Sequence, residues 1–427
     1  MIAAVILIFL FVLLTVGAPV SFALMLSGTA GVYWFGGFDA VVGTLTSLAK
    51  ANASKYEFLA IPMFLLMAEF VLRSGIAEDL FRASAAWVGR VRGGLGIATA
   101  LAGAGFGAVC GSSTASAATL SSTSLPAMIS YGYDNRIASG VVAISGTLAM
   151  LIPPSIIMII YALLADISVA HMLIAGVVPA IIVTGTIVAT VMFLAIRNPD
   201  EAPLSDKVSW REKFTLLRPV APMLVLMMAV TGVIYSGIAT PTEASAVGAL
   251  CAGILFVIRR RPNRAEAFNV FARATRTACM ISFILLGAHI FTTFFALTQT
   301  TQSIILWVAA LEVNRWLIIV ALMVVVLILG CFMDQMAILV LTVPITVPLI
   351  QSLGFDPIWF GVVMIIAAEV GLVTPPLGLN CFVVSKYAKI PVQIVFRGVG
   401  PHVVAHLVAL AIMIAFPVLS LWLPSLM

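Results

Sequence analysis

Four short stretches set polar or helix-breaking residues inside otherwise apolar sequence. They are Gly111-Ser112-Ser113-Thr114, Ile152-Pro153-Pro154, Met333-Asp334-Gln335, and Gly371-Leu372-Val373-Thr374-Pro375-Pro376 with Gly378-Leu379-Asn380 just beyond. Hydroxyls, a carboxylate, an amide and backbone carbonyls are the oxygens a hard cation such as sodium prefers. Two successive prolines remove backbone N–H donors and clash with the preceding turn, so each Pro-Pro pair stops a helix. At membrane depth, the carbonyls released by such a break are tolerated only when buried or lining a cavity. Gly146-Thr147 precedes the first pair, while Thr374 and Asn380 flank the second, so side-chain oxygens are at hand to complete a coordination shell. Each feature also has a plainer reading. Small hydroxylated residues let helices pack closely, Asp334 could cap a half-helix, and Pro-Pro could be a simple kink.

The pattern occurs twice. At a shift of 222 positions Pro126 falls on Pro348, Gly132 on Gly354, Asp134 on Asp356, Pro153-Pro154 on Pro375-Pro376, Gly176 on Gly398 and Pro179 on Pro401. A duplicated unit with a broken helix in each copy is how many secondary transporters build a midplane site.

The elements that must position these residues are membrane helices. Apolar residues make up 62% of the 427-residue chain, charged residues 9%, and mean hydropathy is +1.19. A soluble fold could not hide that much apolar surface. The runs do not alternate as barrel strands would, so the class is an all-α integral membrane protein. The N-terminal run from Ile2 lacks a basic leader and a small-residue cleavage site, and is read as a retained helix. Ten full crossings are expected near 2–16, 19–36, 58–74, 137–165, 172–196, 218–237, 242–258, 278–296, 357–385 and 401–424, with two re-entrant helical hairpins near 94–132 and 314–352. The expected division is 1–57 as N-terminal scaffold, 58–196 as the first repeat, 197–277 as linker and scaffold helices, and 278–427 as the second repeat.

Charge fixes an orientation. Nineteen basic residues, Arg73 through Arg397, fall in one set of loops, and only Lys50, Lys55 and Arg315 in the other. The first set is then cytoplasmic and both termini lie outside the cytoplasm. This split requires both hairpins to enter and leave on one side. It also makes the two Pro-Pro helices run in opposite directions, so the repeats are inverted. Residues 74–92 and 261–276 mix apolar, aromatic and basic residues and are expected to lie along the cytoplasmic surface. The 197–213 linker is expected to be solvated. Asp166, Glu243 and Asp356 read as caps or solvated charges. Glu369, two residues before Gly371, is given a supporting role at the second break, and Glu69 none.

Several function classes are excluded. Cys110, Cys251, Cys279, Cys331 and Cys381 form no C-x-x-C pair and read as buried hydrophobes. The +5 charge sits in loops beside spans and is not a nucleic-acid signal. No Walker A sequence, no G-x-S-G and no G-x-G-D occurs, which argues against ATP hydrolysis and intramembrane proteolysis, so no enzyme activity is expected.

Further segments carry a resemblance over essentially the whole chain: Ile61-Pro62 with Arg73-Ser74-Gly75-Ile76-Ala77-Glu78, Gly93-Gly94-Leu95-Gly96, Phe106-Gly107, Pro126-Ala127-Met128-Ile129, Ile152-Pro153-Pro154-Ser155, the 235–244 stretch YSGIATPTEA, the 371–380 stretch GLVTPPLGLN, and Leu419-Ser420-Leu421-Trp422-Leu423-Pro424. The sequence resembles the large membrane subunit of tripartite ATP-independent periplasmic (TRAP) transporters. It departs from the family pattern at Ala149-Met150, Ala367 and Asp334-Gln335-Met336. The resemblance implies an inverted-repeat, elevator-type transporter with two re-entrant hairpins and two Pro-Pro-broken helices. It implies sodium-coupled uptake of a small organic acid across the bacterial inner membrane, with sodium ions as coupling ions and no other cofactor. The implied partners are a periplasmic substrate-binding protein and a separate small membrane subunit. The implied sodium sites are Ser112, Ser113 and Gly146 at the first hairpin and break, and Asp334, Gly371 and Thr374 at the second. Gly111, Thr114, Thr147, Pro153, Pro154, Met333, Pro375, Pro376, Gly378 and Asn380 surround them. The competing expectation is a stand-alone sodium–carboxylate symporter that needs no binding protein.

Overall fold

A computed structural model describes residues 2–427, apart from the side chains of residues 49–53. Lys50, one of the three outer basic residues, therefore lies outside the described residues. The described chain is α-helical with short 3-10 turns and contains no strand. Lipid offers no partners for backbone groups, so a chain this apolar must pair them within each segment.

The duplication extends to element boundaries. Adding 222 to the bounds of Ser113–Ser130 gives those of Gln335–Ser352. The same shift sets Gly94–Cys110 on Arg315–Gly330, Asn135–Thr147 on Pro357–Gly371, Ile156–Ala165 on Leu379–Ala388, and Ile76–Val88 on Thr300–Ala310, each within two residues at either end. The starting caps coincide too. Asp134 accepts from the N–H of Arg136 (2.9 Å) and Asp356 from that of Ile358 (2.7 Å), two residues on in both copies.

Both hairpins and both breaks form. Gly94–Cys110 turns through Gly111, at φ 60°, into Ser113–Ser130, and Arg315–Gly330 turns through residues 331–334 into Gln335–Ser352. Each broken helix stops a few residues before its Pro-Pro pair, at Thr147 (with a 3-10 turn to Met150) and at Gly371, and restarts as Ile156–Ala165 or Leu379–Ala388. Among the described residues, five helices are singly long and apolar enough to cross a membrane, and seven if each of two bent pairs is one span. The sequence expects ten crossings. Part of the difference lies in the breaks: the 137–165 and 357–385 runs each become two helices of 10 to 15 residues, too short to span alone. The helix Ile2–Thr15 falls short as well, and one of the five, Gln335–Ser352, is a leg of the second hairpin.

Two expectations are corrected. Residues 261–276 are not a separate surface helix. Asn263 and Glu266 form a capping box from which one helix runs unbroken from Arg264 to Leu297, because no Gly or Pro stands between the cap and the start of the span at 278. The 197–213 linker is largely exposed, as expected, but it is tethered to the fold. Glu201 accepts from Arg136 Nη2 (2.7 Å) and Asn198 Nδ2 (3.1 Å), Tyr131 Oη donates to Asp206 (3.1 Å), and Trp210 packs edge-on against Trp87 with Lys213 over both rings. The linker thus straps the base of the first hairpin. Second among the corrections, the 19–36 run continues to Ser54, with a non-helical residue at Gly37 (φ 73°) dividing it. The segment 74–92 does bend away, by 66° at Gly75, as expected of a surface arm.

A large core joins the hairpins to the broken helices. A second, smaller cluster around Leu10, Leu24, Phe291, Phe294 and Phe295 ties the first two helices to Arg264–Leu297. The site lies between these bodies.

Candidate functional site

A cavity of about 600 Å³ separates the two hairpin tips from the neighbouring helices. Residues 111–115 form one tip and residues 334–336 the other, with Leu372 and Leu379 from the second break beside them. The opposite wall comes from residues 18–21, from Glu69 and Leu72, and from Ala274, Thr277 and Met280. Among the described lining residues none is basic. Polar groups in the wall are the carboxylates of Asp334 and Glu69, the hydroxyls of Ser21, Ser112, Ser113, Thr114 and Thr277, and the Gln335 amide.

Two helix N-termini end at this cavity, and they are related by the repeat. Ser112 caps Ser113–Ser130, its Oγ accepting from the N–H of Ala115 at 3.5 Å. Asp334 caps Gln335–Ser352, its Oδ1 accepting from the N–H of Ala337 at 3.0 Å. Residues 112 and 115 shifted by 222 are 334 and 337, so one structural cap is built with a hydroxyl in one half and a carboxylate in the other. A helix N-terminus favours an anion. Carboxylate, hydroxyl and freed carbonyl oxygens favour a hard cation. The arrangement can therefore hold an anionic group and a sodium-sized ion close together.

Behind the tips the halves differ in how they lock. Ser113 Oγ donates to Asn380 Oδ1 (3.2 Å), and Asn380 Nδ2 donates to the carbonyl of Ala143 (3.4 Å). In the second half Gln335 Nε2 reaches the carbonyl of Ile365 directly at 3.3 Å. Positions 143 and 365 are equivalent under the repeat. The long Gln335 side chain spans what short Ser113 needs Asn380 to bridge. The Ser113–Asn380 bond also joins the first hairpin to the second broken helix, so the halves interlock.

The expected site residues divide into two groups. Gly111, Ser112, Ser113, Thr114 and Asp334 meet in the cavity wall. The others stand behind or beside it. Gly146 packs on the backbone of Ala117, and Gly371 lies against Gly330. Thr147 Oγ1 donates to the carbonyl of Ile144 (2.9 Å) and Thr374 Oγ1 to that of Val370 (2.6 Å), leaving their lone pairs free. Pro153 and Pro154 are buried, whereas Pro375 and Pro376 are exposed. Gly378, at φ 49°, starts the last half-helix, Asn380 is buried, and Met333 is half-buried beneath the second tip. Sequence reasoning gave no role to Glu69, whose Oε2 is buried without a hydrogen-bond partner in the wall facing both tips. The signal was present, since a carboxylate inside the apolar helix Ala60–Ser74 is costly, but nothing in the one-dimensional order ties it to residues 112 and 334.

Residues 7–419 match the family model of the tripartite ATP-independent periplasmic transporter, DctM component. The chain belongs to this family. It is 38% identical over 375 residues to the C4-dicarboxylate TRAP transporter large permease protein DctM of Pseudomonas aeruginosa, covering 88% of this chain and 87% of that one. It is 31% identical to the ectoine/5-hydroxyectoine TRAP transporter large permease protein UehC of Ruegeria pomeroyi, covering 99% of each. A solved structure, the Alcanivorax borkumensis YdaH transporter, overlays with a TM-score of 0.64 at 14% identity over 89% of each chain, a likeness of fold alone. The protein is a multi-pass TRAP large permease and not an enzyme.

Proposed function

We propose that this permease takes up a small organic acid by sodium-coupled, elevator-type alternating access in the bacterial inner membrane, with both termini periplasmic. The observation that carries this reading is the cavity between two repeat-related helix caps, with anion-favouring N-termini and cation-favouring oxygens on one wall. Sodium is retained by Ser112, Ser113 and Gly146 on one side and by Asp334, Gly371 and Thr374 on the other. It offsets the charge of the substrate carboxylate, since no basic side chain does so among the described lining residues.

The mobile body comprises the two hairpins and two broken helices, and the frame comprises the helices of the opposite wall. The repeats are inverted, and the working division follows 1–57, 58–196, 197–277 and 278–427. Frame residues in the wall, Glu69, Leu72, Ala274 and Thr277, stand next to Arg73, Arg273 and Arg276 in sequence. With those arginines in the cytoplasm, the cavity faces inward, the side where cargo leaves. The substrate is delivered by a periplasmic binding protein, and a small membrane subunit completes the frame. The relatives named for C4-dicarboxylates, ectoine, 2,3-diketo-L-gulonate and sialic acid make carboxylate-bearing solutes the substrates to try first.

Uptake should be measured in proteoliposomes holding this chain with its small subunit, with the binding protein outside. An inward sodium gradient is expected to drive accumulation. Equal rates in potassium-only buffer would overturn the coupling, and robust uptake without the binding protein would favour a stand-alone symporter.

A further inference from the structure

The second half of the protein holds a buried carboxylate where the first half holds a hydroxyl. Glu369 falls on Thr147 at the 222-residue shift. Glu369 is 0% exposed, and neither of its oxygens has a hydrogen-bond partner among the described residues. None of the ion pairs among those residues includes it. Thr147, by contrast, is satisfied within its own helix at 2.9 Å.

A second orphan oxygen is brought to the same turn. Gln335, 1% exposed, stands beside Asp334 in the cavity wall but is buried where Asp334 is exposed. Its Nε2 donates to the carbonyl of Ile365 at 3.3 Å. Ile365 stands one helical turn before Glu369, on the same face, so the Gln335 amide rests against the turn that carries Glu369. Its Oε1 is buried without a partner as well. Three buried acceptor oxygens without partners thus belong to this tip and to the helix it rests against. Neutral acceptors in such a place cost free energy, and an uncompensated carboxylate costs far more. The equivalent place in the first half carries no carboxylate, and Ser113, the counterpart of Gln335, is bonded to Asn380.

We propose that Glu369 and Gln335 Oε1 form a binding site for a sodium-sized monovalent cation, peculiar to the second half and separate from the ions at the hairpin tips. The site rests on the sodium-coupled reading above and adds an ion to it. A cation there neutralises the carboxylate and ties the hairpin, through Gln335, to the helix Pro357–Gly371. Filling the site before substrate arrives makes the second tip rigid, which couples sodium occupancy to the shape of the cavity.

The test uses the assembled membrane complex, with two readouts: sodium-dependent uptake, and the upward shift in melting temperature on adding sodium in place of potassium to the detergent-purified complex. Glu369→Gln keeps shape and removes charge. It is expected to lower apparent sodium affinity by about tenfold or more, as loss of a cation ligand typically does, to reduce the sodium Hill coefficient, and to shrink the melting shift. Gln335→Met, which removes only Oε1 and the amide, should weaken sodium dependence in the same direction if the Glu369 variant fails to assemble. Unchanged sodium affinity and melting shift in assembled variants overturn the site. So does a changed pH profile with sodium dependence intact, because the carboxyl would then be handling a proton. A wild-type complex that ignores sodium in uptake instead refutes the coupling reading itself, which separates the two failures.

Discussion

Asp334→Asn is expected to abolish sodium-driven uptake while leaving a folded permease. Asparagine caps a helix about as well as aspartate, so the bond from the N–H of Ala337 survives and the second hairpin keeps its tip. What disappears is the negative charge at the wall of a cavity whose described lining contains no basic side chain to compete for it. Asp334→Ala removes the cap as well, which costs about 1 kcal/mol of helix stability. Both variants should be compared in proteoliposomes at matched protein, with melting temperature read in parallel. A transport-dead, normally melting Asn variant assigns the carboxylate to ion handling. Normal uptake by it would remove Asp334 from the mechanism and leave a purely structural cap.

Gly371→Ala is expected to lower the melting temperature sharply and stop transport. A Cβ at position 371 would sit 2.5 Å from the Cα of Gly330 and 2.7 Å from the carbonyl oxygen of Leu327. Both are backbone atoms of the second hairpin and cannot swing aside. The hairpin must therefore lift off the break, and overpacking of this kind typically costs about 1–3 kcal/mol. The equivalent contact in the first half uses Gly107 against Ala149, so the close approach is kept with its glycine on the hairpin side alone. Gly400→Ala is the control, since nothing lies within 4 Å of a Cβ there. Equal melting of the two variants would show that the hairpin and break are not in tight register.

The breaks, hairpins and duplication were legible because each rests on local covalent chemistry. Proline stops a helix wherever it stands, and a 222-residue shift aligns glycines, prolines and aspartates that set turns and caps. The arm at Ile76–Val88 was legible from its mixed composition and from Gly75. The same compositional reading failed at 261–276, where capping at Asn263 and an uninterrupted helical sequence joined an amphipathic segment to a span. At the linker, polarity correctly suggested solvent exposure but did not show that Glu201 and Asp206 answer Arg136 and Tyr131 across the fold.

The sequence by itself determined that this is an all-helical membrane protein of two related halves and where its helices break. Those properties follow from nearest-neighbour sterics and from the cost of leaving backbone groups unpaired in lipid. Only the tertiary structure decided which oxygens face one another. Glu69 opposite Ser112 and Asp334, Asn380 bridging Ser113 to Ala143, and Gln335 reaching the turn below Glu369 all join residues from different helices. Such pairings depend on how helices pack and rotate against one another, which no periodicity within a single helix encodes.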